Sequence, residues 1–295
     1  LMEAALCRLR GRTLSVYLRL FMPLDQATLV SLGAMLPPSM HVFMRIDERM
    51  RDPLVDVSDL VALIRVDPSL SFKLLRLANS VMYGSGTPCD TLDEAVSRVG
   101  LREVQRLVGL AAVHQTYQHD LANYHFTAQQ VWENAVATAV SFEALSSVSN
   151  GRIDGGYVAG LMRNLGRLIL DRVRGRTPYP GEAVAPDVAA WEFANFGTDG
   201  PEVGARLLEH WRFPPEVVTM VRGQLAPLAQ GFANAGVARL NLAGHLATRM
   251  GVGLPGESTV WSPEPEKLVL AGIDAAGLDA AFELAREPFQ RVRQA

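Results

Sequence analysis

Histidine, cysteine and carboxylate side chains can hold a metal or move a proton, and in this chain they are sparsely placed. The six histidines are His41, His114, His119, His125, His210 and His245. No two stand in His-x-x-x-His spacing, which would set both imidazoles on one helix face for zinc. His114 and His119 would point about 140° apart on a helix of 3.6 residues per turn. His119-Asp120 is an isolated doublet in a polar stretch, where a solvated loop is expected. His210 and His245 lie near apolar neighbours and read as packed or surface imidazoles. Cys7 and Cys89 are the only cysteines and sit in unrelated contexts. They supply neither a disulfide framework nor a Cys-based zinc site, and reduced thiols of a cytoplasmic protein are expected.

Nucleophilic and phosphate-cradling motifs are missing from the sequence as well. There is no Gly-x-Ser-x-Gly elbow, no Walker loop, and no Gly-x-Gly-x-x-Gly following a strand. Asp67 reads first as a helix N-cap and second as a functional carboxylate, with Pro68 at the first helical position. Asn79-Ser80 falls at a helix end, where such side chains commonly satisfy backbone groups.

The elements that must position these groups read almost entirely as helix. Leu60, Val61, Leu63 and Ile64 recur at helical spacing, and Leu70, Leu74, Leu75, Leu77 and Ala78 give the next helix its stripe. Thr91 with Glu94 and Thr127 with Gln130 read as capping boxes, and Gly100 is placed to close the helix begun at Thr91. A long helix is expected from Thr127 to about Val148, and another from Tyr157 to Val173. Further helices are predicted over Asp187–Phe196, Pro201–Trp211, Pro214–Gln224, Phe232–Met250 and the tail from Glu266, with Gly175–Pro186 and Gly251–Pro265 irregular. No run of alternating β-branched residues competes, so the predicted fold is all-α. The polar stretch Tyr117–His125 is the best internal boundary.

Composition narrows the function classes. With 295 residues, 48% apolar and 20% charged, the chain can bury a real core and is not a disordered tail. A net charge of -3 provides no basic excess for displacing counterions from duplex DNA, so duplex DNA is not expected as a partner. The best apolar run, Leu14–Leu24, is broken by Arg19 and Pro23 and is too short to span a bilayer. Arg8, Arg10, Arg12 and Arg19 lie among leucines, which suits an amphipathic linker helix or a contact with an upstream domain or anionic surface. The chain begins Leu1-Met2, which fits an excerpt with an upstream domain.

Several blocks carry a resemblance. Ile64-Arg65-Val66-Asp67-Pro68-Ser69-Leu70, followed by Lys73 to Gly84 with Asn79-Ser80, resembles the signature of the HDOD domain. Thr91–Gly100 is similar to its next element, and Ala159–Leu168 resembles the helix that bears the His-Asp doublet in the wider HD phosphohydrolase superfamily. Glu202-Val203-Gly204-Ala205, Leu207-Leu208, Trp211 and Pro214 follow in the expected order, so the resemblance covers about residues 30 to 250. It implies a multi-helix HDOD-like fold in which an N-terminal helical subdomain packs on a degenerate HD-like bundle. The expected segments are 1–28 as a helical or linker piece, 29–117 as the first helical part, 118–250 as the HD-like part, and 251–295 as a loop and helical tail.

Departures from the HD pattern decide the expected chemistry. A working HD hydrolase uses imidazoles and carboxylates from several helices to hold a divalent metal that activates water. The position of the early ligand, after Trp132, holds Asn134, and the doublet is replaced by Arg163-Asn164. Gly200-Pro201, Gly223-Gln224-Leu225 and Ala243-Gly244-His245 stand at the other ligand positions. Arginine has no lone pair to offer and stays protonated, so Arg163 would repel a metal. Arg163 would pair with a carboxylate or a helix C-terminus there, or reach solvent from the helix surface. No metal, cofactor or catalysis is therefore expected. The resemblance implies a bacterial signalling module, found alone or beside receiver, cyclic-dinucleotide or kinase-type domains, whose partners would be such proteins or a second copy. Its action would be a ligand- or partner-dependent shift in helix packing. The alternatives are a metal-dependent phosphohydrolase on nucleotides or cyclic dinucleotides, and a nucleotide-binding pseudoenzyme with phosphate contacts from Arg163 and Arg167.

Overall fold

The computed structural model describes residues 28, 31, 33, 34, 37–52, 54–80, 83, 87–151, 153–173, 177–225 and 234–294. The expectations for Cys7, the arginines from Arg8 to Arg19 and the run Leu14–Leu24 lie outside these residues, as do signature positions Val81, Met82 and Gly84. Among the described residues the architecture is helical, with one isolated bridge between Leu121 and Phe126 and no strand. The chain divides into two compact units, one within 35–118 and one holding the residues from 119 onward.

The first unit contains α1 (Pro38–Arg49), α2 (Val57–Arg65), α3 (Pro68–Ala78), α4 (Leu92–Val99) and α5 (Leu101–Thr116). Its caps follow from local chemistry. Asp56 accepts from the Ser58 N–H at 3.0 Å to open α2. Asp67 accepts from Ser69 N at 2.9 Å and Leu70 N at 3.2 Å to open α3, with Pro68 where its missing N–H costs nothing. The Thr91 hydroxyl caps Glu94 N at 3.2 Å, but the Glu94 carboxylate turns to Arg98 and leaves that capping box half made. Gly100 adopts φ 89°, a left-handed-side conformation open to glycine, and separates α4 from α5. Leu60, Ile64, Leu70, Leu74, Ala95, Val96, Val104 and Val108 form the core of this unit.

The second unit is built around α6 (Ala128–Val148), opened by the complete Thr127–Gln130 capping box. It is buried on most of its circumference because α7 (Gly156–Met162), α12 (Ala235–Arg249) and α14 (Ala275–Gln294) all pack on it. Small residues permit the close approach: a Cβ on Gly160 of α7 would stand 2.5 Å from the Ala139 Cα. Between these elements run α8 (Leu165–Asp171), α9 (Val188–Phe196), α10 (Gly200–His210), α11 (Pro215–Gly223) and α13 (Pro265–Ala271). The helix expected over Tyr157–Val173 is two helices in the structure. Arg163 ends α7 and Asn164 opens α8 at φ -96°, ψ 3°, a turn that aims both side chains inward. The tail from Glu266 is likewise interrupted, at Gly272 with φ 73°, between α13 and α14.

Candidate functional site

The α7–α8 break brings four of the sequence-selected residues together. Asn134 from α6, Arg163, Asn164 and Arg167 are each at most 3% exposed. The Asn134 Oδ1 accepts from Asn164 Nδ2 at 3.0 Å and from Arg163 Nη1, while its Nδ2 donates to the Val252 carbonyl at 2.9 Å. Arg163 Nε donates to Gln224 Oε1 at 2.9 Å. Its Nη2 reaches both oxygens of Glu257, at 2.8 and 2.9 Å. The Trp261 ring lies 5.0 Å from the same guanidinium. Of the environments open to Arg163, the carboxylate partner is the one observed, and burial excludes the solvent-reaching arrangement.

Arg167, one helical turn further on, completes a chain of charges. Its Nε donates to Glu192 Oε1 at 2.8 Å and its Nη1 to Glu257 Oε1. Glu192 also accepts from the Gly200 N–H at 2.6 Å. Two guanidiniums thus face two carboxylates, and the buried charge sums to zero. Burial alone would raise the Glu257 carboxyl, but Arg163 and then Arg167 outweigh it and hold the group below the usual glutamate value. Burial wins at Glu192, whose carboxyl is pushed up although Arg167 opposes the shift. Burial would lower Arg167, yet Glu257 and Glu192 together raise it further into the charged range. The buried rings of Tyr124, Tyr179 and Trp191 pack together in the same unit, with Tyr124–Trp191 and Tyr179–Trp191 centroids both 5.2 Å apart. Burial, and then the nearby Glu192 charge, pushes the Tyr124 phenol well up, so that ring stays neutral.

The other selected residues belong to the first unit and serve its framework. Asp67 and Pro68 open α3. The Asn79 amide pairs with Cys89, accepting from its N–H at 2.7 Å and donating to its carbonyl at 2.9 Å. The Ser80 hydroxyl is buried without a partner. His119 and Asp120 are exposed, and Asp120 accepts from Ala128 N at 2.8 Å near the start of α6. Sequence reasoning missed Glu192, Glu257 and Trp261. Glu192 carried a weak signal, a carboxylate amid the apolar run of α9, whereas Glu257 lies in irregular chain where no period marks a buried position.

The metal expected of a working HD hydrolase does not fit these side chains. Arg163 and Arg167 place two permanent positive charges in this cluster, and Glu192 and Glu257 are already paired with them. Among the described residues, no group of three or more His, Cys, Asp and Glu side chains is placed to hold a metal ion.

Comparison with known proteins agrees with this architecture. The family model of the HDOD domain matches residues 36–227. An uncharacterized protein of Treponema pallidum is 30% identical over 190 residues, covering 61% of this chain and 35% of its own length. The chain thus spans about a third of that relative. An HDOD domain protein of unknown function from Geobacter sulfurreducens shares the fold with a TM-score of 0.67 at 21% identity, over 91% of this chain and 99% of its own. A Shewanella amazonensis protein provisionally named a phosphohydrolase gives a TM-score of 0.60 at 24% identity, over 90% and 96%. With the matched model spanning well over half of its residues, and the signature in place from Ile64 to Ser80, this chain belongs to the HDOD family.

Proposed function

We propose that this chain is a non-catalytic signal-transduction module that works through contacts with other signalling proteins. The observation that carries the reading is the Arg163–Glu257–Arg167–Glu192 network. Metal-assisted hydrolysis needs an open coordination position and a water made acidic by the ion. In this reading Arg163 stands at the doublet position, and its pairing with Glu257 supports a cluster without such an opening. A buried pair of this kind contributes little net stability, but removing one partner leaves an uncompensated charge at a cost of about 3–5 kcal/mol. The arrangement is therefore resistant to loss once formed.

Partners with receiver, kinase or cyclic-dinucleotide-binding domains fit this role, in the cytoplasm. Among the described residues, no helix is long and apolar enough to cross a membrane. Arg163 and the Nε and Nη1 of Arg167 donate to groups inside the protein, which weighs against a nucleotide phosphate contact while Glu257 is in place. Elemental analysis of the purified full chain, paired with hydrolysis assays on nucleotides and cyclic dinucleotides in Mn²⁺ and Mg²⁺, tests the reading. We expect substoichiometric metal and no turnover. Stoichiometric metal together with turnover would overturn it.

A further inference from the structure

Residues 251–264 cross the polar cluster as irregular chain, apart from the 3₁₀ turn Ser258–Val260. A stretch of this length without regular structure inside a compact unit is usually functional. It is strapped down by its backbone: the Val252 carbonyl takes Asn134 Nδ2 at 2.9 Å, and the Gly256 carbonyl takes the Val188 N–H at 3.0 Å. Lys267 Nζ donates to the Val260 carbonyl at 3.2 Å and to that of Ser262. At its centre the fully buried Glu257 carboxylate receives Arg163 and Arg167. Gly251 and Gly256, both at φ 80°, supply backbone freedom before Glu257.

Two guanidiniums converging on one carboxylate form the kind of donor set that recognises an oxyanion. The set is larger than the strap uses. Arg167 Nη2 is buried with no hydrogen-bond partner, on a residue only 3% exposed. Glu257 has two oxygens, and both are taken; a phosphate group brings a third. We propose that Arg163 and Arg167 form a phosphate-binding seat whose resident occupant is Glu257, and that the strap 251–264 is its lid. Lifting the strap would exchange an internal carboxylate for a ligand phosphate and move the chain leading into α13 and α14. This rests on the non-catalytic reading of the same site and adds the ligand class and the moving part.

The test uses the full chain with inorganic phosphate as probe, and acetate and chloride as controls at matched ionic strength. Glu257→Ala leaves Arg163 without a carboxylate partner and Arg167 with Glu192 alone, so its Tm should fall on the order of 10 °C. Phosphate should restore it saturably, acetate less well, and chloride not at all, and adding Arg163→Ala should abolish the restoration. Glu257→Gln keeps the side-chain volume and repeats the titration if the alanine variant does not fold. In the unaltered protein, phosphate should speed hydrogen exchange of the amides of 252–262 without speeding that of α6. An absent phosphate effect on exchange, an absent restoration in a folded variant, or a restoration that survives Arg163→Ala overturns the seat. Metal-dependent turnover would instead sink the non-catalytic reading, and the phosphate titration would still stand or fall by itself.

Discussion

Gln224 holds Arg163 at two points: its Oε1 accepts from Arg163 Nε at 2.9 Å, and its Nε2 donates to the Arg163 carbonyl at 3.1 Å. The second bond satisfies a backbone acceptor at the C-cap of α7. Gln224→Ala should therefore leave both a buried guanidinium N–H and a carbonyl unpaired, costing about 2–4 kcal/mol in urea denaturation. Gln224→Glu retains the acceptor but points a carboxylate oxygen at the Arg163 and Val221 carbonyls, where only a protonated carboxyl can donate. Gln224→Glu should therefore also lose stability to urea, although it keeps an acceptor for Arg163 Nε. A Gln224→Ala or Gln224→Glu protein with the urea midpoint of wild type would contradict the two-point grip.

The two buried glutamates predict opposite pH profiles. Glu257 lies below its ordinary 4.5, because Arg163 and Arg167 overcome its burial. The stability it contributes is present above 4.5 and is lost as pH falls through the folded value. Glu192 lies above 4.5 through burial, so its contribution is fully present below 4.5 and is lost as pH rises through the folded value. The gap between wild type and Glu257→Gln should thus be widest near neutrality and shrink on acidification. The gap between wild type and Glu192→Gln should move in wild type's favour as pH falls. Urea unfolding of the three proteins between roughly pH 3.5 and 7 reads both slopes.

How much of this was legible beforehand depends on whether a feature is local. Asp67, Thr127 with Gln130, and Gly100 act within a few residues, and their types alone announced α3, α6 and the α4–α5 junction. Apolar period found the helices for the same reason. The break at Arg163-Asn164 was hidden because Tyr157 to Val173 keeps its apolar spacing through the turn. The resemblance to the HD pattern singled out Asn134, Arg163 and Asn164, yet it could not supply their partner. Glu257 is 94 residues from Arg163 in sequence and sits in a segment without periodicity, so only the folded chain joins them.

Where α8 crosses α10, the backbones meet with no side chain between them. A Cβ on Gly166 would stand 1.8 Å from the Gly200 carbonyl oxygen and 2.6 Å from Gly204 N, groups that cannot rotate away. At Gly204 an added Cβ would find Gly166 N at 3.3 Å and Val221 Cγ1 at 3.4 Å, and small shifts suffice. Gly166→Ala should prevent the crossing and yield little folded protein, whereas Gly204→Ala should cost about 1–2 kcal/mol. Circular dichroism melts of the two variants separate these outcomes. A Gly166→Ala protein that melts like wild type would mean the helices can part freely, and Arg167 with them.

Arg239 supports the other end of the second unit without any carboxylate among its hydrogen-bond partners. It is 1% exposed, and its Nε, Nη1 and Nη2 donate to the carbonyls of Ala271, Gly151 and Asn150 at 2.8, 2.8 and 2.6 Å. Ala271 ends α13, and Asn150 and Gly151 follow α6, so the cation answers the electronegative ends of two helices. Burial lowers its pKa, but an arginine has range to spare and remains charged. Lysine could not replace it, because one ammonium cannot reach three carbonyls set out for a planar fork. Both Arg239→Lys and Arg239→Met should therefore cost about 3–5 kcal/mol, since the carbonyls lose their donors in each. The loss should first be visible at the Asn150 N–H, which donates to the Gly272 carbonyl at 3.2 Å and is held there by the same clamp. Hydrogen exchange at that amide should accelerate in both variants under conditions where α9 and α10 stay protected, and equal protection in Arg239→Lys would show that charge alone, without the fork, is enough.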